Sequence, residues 1–141
     1  MYSQLLKSVI DRHGYRTVSE ADLDEVTADL DFSVLLFAGD ADRLGESDDV
    51  AIILPELEKL FEHVFTPLVV ERASERKLQQ RYRFNAFPSL VFLRRGEYLG
   101  TIQRVLDWGD YVTEISKILT SEPTPPPAFE LPKCVQQHLP N

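Results

Sequence analysis

The sequence lacks the pair of thiols that a disulfide needs. Its 141 residues contain one cysteine, Cys134, so no disulfide can form within the chain, which fits a reducing compartment. No apolar run approaches the roughly 20 residues of a membrane-spanning helix. The N-terminus also lacks the apolar segment and cleavage site of a secretory signal. We therefore expect a cytoplasmic protein with no membrane insertion.

Positive charge is scarce, since the formal net charge is -8. This argues against nucleic acid and anionic membranes as main partners. Residues 1–63 carry 15 Asp and Glu against five Lys and Arg, whereas residues 64–141 carry eight against ten. Such asymmetry predicts an acidic surface that attracts a basic partner. The alternative is a solvated face that only promotes solubility.

Motifs for nucleotides and metals are also missing. Neither a Gly-rich phosphate loop ending in Gly-Lys-Ser/Thr nor a G-x-G-x-x-G pattern occurs. The three histidines lie on different predicted elements without the spacing of metal ligands. We therefore expect no metal and no cofactor.

Helical and extended patterns alternate along the first 120 residues. The predicted strands cover 15–18, 32–38, 67–73, 88–95 and 97–103, and the predicted helices cover 2–13, 19–30, 50–65, 74–84 and a segment from 107. We read 39–49 as an acidic loop. Alternation of helix and strand predicts an α/β fold of three layers, a mixed sheet of four to five strands with helices on both faces.

Local signals refine these boundaries. Ser19 and Asp22 form a predicted capping box, and Ser74 and Asp107 are predicted helix caps. Trp108 is predicted on the inner stripe of the last helix together with Tyr111. Arg95-Gly96 is the predicted turn of a hairpin.

The composition changes after Thr120. Six of the nine prolines lie in residues 121–141, without apolar periodicity. We predict one domain over 1–120 and an extended tail over 121–141. The tail is either a free arm or a segment that packs Phe129 and Leu131 onto the domain.

The order of elements resembles thioredoxin. The strand over 32–38, the following helix with Pro55 inside it, and "AFPSLVFLRRGEYLGTI" with Pro88 at the cis-proline position carry this resemblance. Thioredoxins place Cys-x-x-Cys where this sequence has Ser47-Asp48-Asp49-Val50. Their buried charge in the central strand is replaced by Leu35 or Leu36. Because a thiolate is the nucleophile of disulfide exchange, oxidoreductase activity is excluded unless Cys134 supplies it.

A narrower resemblance is to the HyaE/HupG group of hydrogenase-expression accessory proteins. It is carried by "HGYRTVSEADLDE", the acidic loop, and above all "FNAFPSLVFLRRGEYLGTIQRVLDWGDYVTEI". The resemblance implies a non-catalytic chaperone for the small-subunit precursor of an uptake [NiFe] hydrogenase, bound through its twin-arginine signal peptide. Other hydrogenase accessory proteins are further possible partners. The alternatives are a vestigial thiol enzyme using Cys134 and an adaptor in another complex.

A binder of such a signal needs negative charge beside an apolar groove. The carboxylates are predicted to come from Asp40, Asp42, Glu46, Asp48 and Asp49. For Ser47, Asp48 and Asp49 the alternative is that they only cap the long helix. The groove is predicted, by resemblance to thioredoxin, at Phe87, Pro88, Gln103 and Arg104. There the backbone of Phe87 would pair with an extended peptide. The alternative for Phe87 is a core aromatic.

Overall fold

The computed structural model describes residues 2–40 and 46–127. In chain order the elements are α1 (Gln4–His13), β1 (Arg16–Val18), α2 (Leu23–Ala28), β2 (Phe32–Phe37), α3 (Glu46–Leu60), β3 (Thr66–Val70), α4 (Arg72–Tyr82), β4 (Ser89–Arg94), β5 (Glu97–Gln103) and α5 (Trp108–Leu119). The predicted order of helices and strands is therefore confirmed.

The five strands form one mixed sheet in the order β1-β3-β2-β4-β5. The β1–β3 and β2–β3 pairs are parallel, and the β2–β4 and β4–β5 pairs are antiparallel. The central strand β2 is buried, including Leu35 and Leu36. This matches a strand covered on both faces, whose sequence is a continuous apolar run.

Helices cover both faces of the sheet, which gives the predicted three layers. One core lies under α1, α3 and α5 and includes Leu6, Leu54 and Tyr111. The other core lies under α2 and α4 and includes Leu23 and Leu78. Neighbouring residues of β2 alternate between the two cores, because successive side chains of a strand point to opposite faces.

Helix α3 differs from its predicted limits. It begins at Glu46 instead of residue 50 and ends at Leu60 instead of 65. The prediction of a loop up to residue 49 was therefore wrong for 46–49. Ser is common at helix starts as a hydrogen-bond acceptor, and Asp and Glu in a first turn complement the helix dipole, so their polarity does not indicate a loop.

The second boundary correction concerns α4. Strand β3 ends at Val70 instead of 73, and α4 begins at Arg72 with Glu71 as its N-cap. The prediction of Ser74 as the cap was wrong. Ser74 is buried, and its Oγ accepts a hydrogen bond from the backbone N–H of Glu20 at 3.0 Å. Its role is to join α4 to the segment before α2.

Two local predictions are confirmed. The N–H of Ser19 donates to Asp22 Oδ1 at 2.7 Å and the N–H of Asp22 donates to Ser19 Oγ at 3.4 Å, the reciprocal bonds of a capping box. The helix itself begins later than predicted, at Leu23 with Asp22 as its N-cap, so the helix start at Ser19 was wrong. Arg95 and Gly96 both have positive φ, 50° and 83°, as the type I′ turn of a two-residue hairpin requires. Asp107 is at the N-cap of α5, although its side chain makes no capping hydrogen bond.

The first part of the predicted tail lies against the hairpin. The backbone N–H of Thr124 donates to the carbonyl of Tyr98 at 3.0 Å. The division at residue 120 stays a prediction. Phe129, Leu131 and Cys134 lie outside the described residues.

Candidate functional site

One end of the sheet brings three chain segments together. Phe37, the last residue of β2, pairs with Ser89 at the start of β4, and Ser89 pairs with Gln103 at the end of β5. The segments that follow β2 and β5 and the segment that precedes β4 therefore meet at this end. Every described residue of the predicted binding site lies on or next to one of these three segments or in the first turn of α3.

The segment before β4 is tied to the end of β5. The Phe87–Pro88 peptide bond is cis, and Pro88 is buried. The N–H of Arg104 donates to the Pro88 carbonyl at 2.7 Å. Gln103 Oε1 accepts from the N–H of Asn85 at 3.0 Å. The structure thus brings Pro88, Gln103 and Arg104 together, with Arg104 in the left-handed region at φ 67°.

The side chain and the backbone of Phe87 have different surroundings. Its half-buried ring packs edge-on against Phe84 at 5.5 Å, and Phe84 contacts Phe37 in the same way at 4.7 Å. The side chain is therefore a core aromatic, which was the alternative reading. Its backbone N–H and C=O form no hydrogen bond with any residue that the structure describes. Within the described residues, the contacts of Phe87 are therefore those of its ring.

The predicted carboxylates have different surroundings. Asp40 is half-buried and follows β2, Asp49 is exposed in the first turn of α3, and Glu46 is the first residue of that helix. Asp48 is half-buried, and its Oδ1 accepts a hydrogen bond from Ser3 Oγ at 2.5 Å. Asp48 therefore joins α3 to the start of α1. Asp42 lies outside the described residues.

Ser47 and Val50 occupy the positions where thioredoxins carry their thiols. Ser47 is buried and its Oγ donates to the carbonyl of Ala38. Val50 is also buried, in the core between α3 and the sheet. The hydroxyl proton is used in a structural hydrogen bond. Ser47 therefore fixes the start of α3 against the end of β2.

A buried carboxylate at the same end was missed in the sequence. The side chain of Glu75 is 2% exposed. One oxygen accepts from the N–H of Gly39 at 3.0 Å, and the other accepts from Arg72 Nη1. Burial raises the pKa of the Glu75 carboxyl above its ordinary value, while the hydrogen bonds from Gly39 and Arg72 act in the opposite direction.

The sequence carried one usable signal for Glu75. It lies three residues before Leu78 and seven before Tyr82, so all three share the buried face of α4. Placing the helix start at Ser74 hid this periodicity, because a Glu in a first turn is usually exposed. The carboxylate positions the residue just after β2, where the acidic segment begins.

Trp108 corrects another prediction. It is the first residue of α5 and is 46% exposed, so it does not belong to the inner stripe. Tyr111 and Ile115 do face the core. The first residue of a helix precedes the turns that pack against the core. Helical spacing alone therefore placed Trp108 wrongly. The structure puts this exposed indole four residues after Arg104, at the site end of the sheet.

Within 2–40 and 46–127, no group of three or more His, Cys, Asp or Glu could hold a metal ion. Across that same part of the chain, no helix is both long enough and apolar enough to cross a membrane.

Comparison with known proteins shows the family to which the chain belongs. A family model described as "Hydrogenase-1 expression protein HyaE" matches residues 5–111. The chain belongs to the HyaE family. That match includes β1 to β5 and the start of α5, and therefore the whole site end of the sheet.

Relatives of this HyaE-family chain are named as hydrogenase expression/formation proteins. HoxO from Azotobacter vinelandii is 44% identical over 122 residues, which cover 86% of this chain and 82% of that protein. HupG from Rhizobium leguminosarum bv. viciae is 36% identical over 126 residues, covering 86% and 85%. A role in hydrogenase expression or formation is thus shared by the family.

Solved structures agree with the fold. The crystal structure of a HupG protein from Rhodopseudomonas palustris aligns with a TM-score of 0.54 at 34% identity, covering 74% of this chain and 94% of that one. Plasmodium falciparum thioredoxin aligns with a TM-score of 0.59 at 16% identity, covering 72% and 97%. The HyaE-family fold is therefore thioredoxin-like, as predicted from the sequence.

Proposed function

We propose that this HyaE-family protein is a non-catalytic chaperone in the assembly of an uptake [NiFe] hydrogenase. It binds the small-subunit precursor in the cytoplasm and holds its twin-arginine signal peptide before export. The basic part of the signal lies against the acidic segment after β2. The apolar part lies along the segment that contains Phe87 and Pro88.

The unpaired backbone of Phe87 is the observation that carries this proposal. Its N–H and C=O are free of bonds to described residues, beside a segment held by the 2.7 Å bond between Arg104 and Pro88. A fixed strand-like segment with unpaired backbone groups binds extended peptides by β-augmentation. Asp40 and Asp49 stand at the same end, and the exposed Trp108 adds apolar surface. Together these groups match a peptide that is basic at one end and apolar at the other.

The absence of catalysis is proposed on chemical grounds. Disulfide exchange needs a thiolate, and Ser47 and Val50 stand at the thiol positions. The Ser47 hydroxyl is committed to the Ala38 carbonyl. We expect no insulin reduction in the presence of dithiothreitol above the uncatalysed rate, for both the native chain and Cys134→Ser. Turnover that disappears in Cys134→Ser would establish the thiol-enzyme alternative instead.

Charge reversal tests the binding surface. We expect Asp40→Lys/Asp42→Lys/Glu46→Lys to weaken binding of the precursor signal peptide by about tenfold or more, since clustered charges fix orientation and speed encounter. The matched control reverses Asp11 in α1, Glu25 in α2 and Asp29 at the C-cap of α2, which are exposed and lie away from this end. Binding is measured by anisotropy of a labelled peptide, and circular dichroism verifies the fold.

The two variants separate a local surface from net charge. Equal weakening by both variants would show that only overall charge matters. Unchanged binding by the first variant, with intact circular dichroism, would remove the acidic segment from the proposal. Since Trp108 is the only tryptophan, its fluorescence in a tryptophan-free peptide titration reports contact at this end of the sheet independently.

A further inference from the structure

Strand β5 forms an edge of the sheet, with β4 on one side only. The N–H of Arg104 points inward to the Pro88 carbonyl. In an antiparallel pair the backbone groups of successive residues point alternately toward and away from the partner strand. Gln103 and Thr101 therefore direct their backbone N–H and C=O to the outer edge. No backbone group in residues 2–40 or 46–127 pairs with them there.

The other end of the same edge is already used by the chain itself. The N–H of Thr124 donates to the outward carbonyl of Tyr98 at 3.0 Å. A register shift opposite Phe92 and Leu93 separates this point from Thr101. Within residues 2–40 and 46–127, the chain thus pairs with the beginning of β5 and not with the outer edge of its end. An exposed edge is a template for pairing with another extended segment.

A groove of about 340 Å³ runs along this unpaired part of the edge. It is lined by Thr101, Ile102, Gln103, Leu106, Asp110, Thr113 and Glu114, that is, by the end of β5, the following loop and α5. Its volume is at the lower end of the ~300–1,000 Å³ typical of ligand sites. The groove is adjacent to the candidate site, since Gln103 belongs to both.

The groove has both apolar and acidic side chains, which limits the kind of ligand that fits it. Ile102 is buried and Leu106 half-buried, which gives the groove an apolar part. Asp110 and Glu114 give it two carboxylates. Glu114 contacts Lys117 only at 3.7 Å in an exposed pair, an interaction of little strength that an incoming cation can replace. A segment with basic and apolar side chains complements both parts.

We propose that the outer edge of β5 and the groove beside α5 bind an extended basic and apolar peptide segment as a sixth strand. The inference rests on the proposed function, because it assigns a second contact for the same precursor segment. Thr101 and Gln103 pair with its backbone, Ile102 and Leu106 contact its apolar side chains, and Asp110 and Glu114 pair with its basic side chains.

A proline at Thr101 tests the backbone pairing. Thr101→Pro removes the outward N–H, and proline is tolerated at an edge position where the N–H faces solvent. Thr101→Val is the matched control, because both variants lose the 2.7 Å bond between the Thr101 and Tyr98 hydroxyls and only the first loses the N–H. The probe is a labelled peptide with two adjacent arginines followed by an apolar stretch. We expect Thr101→Pro to bind it about fivefold more weakly than Thr101→Val.

A pair of charge-neutralising substitutions tests the acidic side chains of the groove without changing the backbone. We expect Asp110→Asn/Glu114→Gln to weaken binding about three- to tenfold. Glu97→Gln/Glu122→Gln has the same charge change beside Pro123, near the hairpin turn at the other end of β5, and leaves binding within twofold. In the native chain, hydrogen exchange at the amides of Thr101 and Gln103 slows when the peptide is added.

The outcomes separate this inference from the proposed function. If the native chain binds the peptide but both β5 variants match their controls and the two amides exchange unchanged, the edge assignment is wrong and the proposed function stands. If the native chain does not bind the peptide, the proposed function fails and the edge assignment falls with it.

Discussion

Glu75 lies in surroundings that are unusual for a glutamate, because its side chain is buried. A carboxylate is rarely buried unless it is hydrogen-bonded, and this one accepts bonds from Gly39 and Arg72. Tyr2 lies nearby, where its hydroxyl donates to the Val70 carbonyl and burial raises the pKa of its phenol. The Glu75 bonds join α4 to Gly39, two residues after β2, and the Tyr2 bond joins the segment before α1 to β3. Glu75 is therefore a positioning residue for the acidic segment.

The raised pKa of Glu75 gives a pH-dependent prediction. In the window above about 4.5 the unfolded chain releases this proton while the folded chain retains it, so its contribution to stability falls as pH rises. Glu75→Gln cannot ionise. We therefore expect the free energy of unfolding of Glu75→Gln, relative to the native chain, to increase between pH 4.5 and neutrality. Urea denaturation at several pH values measures this difference.

Glu71→Gln serves as a control, because it removes the same kind of side chain at an exposed position beside α4. A relative stability of Glu75→Gln that stays constant or falls with pH would mean that the Glu75 carboxyl ionises as easily in the folded chain as in the unfolded one.

At the scale of elements, α1 is held where it begins. Ser3 is the N-cap of α1, accepting from the N–H of Leu6 at 3.0 Å, and its hydroxyl also donates to Asp48 in α3. At the other end of α1, the hydroxyl of Tyr15 donates to Glu58 at 3.1 Å. The two helices are thus joined at both ends on one face of the sheet. Asp48 serves this joint, so its negative charge is only partly available to a ligand.

Replacing Ser3 should reduce the stability of the fold more than the loss of an N-cap alone, because the bond to Asp48 is lost as well. Loss of an N-cap costs about 1 kcal/mol. Ser3→Ala also leaves the half-buried Asp48 without its donor, so we expect a total loss of about 1–3 kcal/mol. Ser116→Ala is the control, because Ser116 is exposed and donates only within α5, to the Val112 carbonyl. Equal midpoints in chemical denaturation for the two variants would contradict the proposed joint.

At the scale of the whole molecule, folding redistributes the charge that the sequence separates. Three acids of the first half lie beside bases of the second half: Glu20 beside Lys77, Asp24 beside Arg81, and Asp31 beside Arg95, at 3.7, 2.7 and 2.8 Å. These pairs offset three of the six acids in residues 19–31. Among the described bases none pairs with Asp49, in the first turn of α3. The charge asymmetry therefore favours a basic ligand at the candidate site.

Electrostatic attraction of this kind depends on salt. We expect the association rate of the two-arginine peptide to fall about tenfold between 50 mM and 500 mM NaCl, because mobile ions screen charges beyond a few ångströms. A peptide with both arginines replaced by glutamine should associate more slowly and show little dependence on salt. Stopped-flow anisotropy measures both rates. Equal salt dependence of the two peptides would contradict charge-guided association.

The sequence by itself determined the order of the elements, the Arg95-Gly96 turn, the Ser19–Asp22 capping box and the absence of a thiol pair near α3. These features depend on residues close together in the chain, where periodicity and turn chemistry are readable. Only the tertiary structure decided that Gly39 and Arg72 are the hydrogen-bond partners of Glu75, that Trp108 is exposed, that Asp48 binds Ser3 and which acids are paired. Those outcomes depend on contacts between residues far apart in sequence, such as the 68-residue separation of Tyr2 and Val70. Packing sets such contacts, and a local pattern carries no record of them.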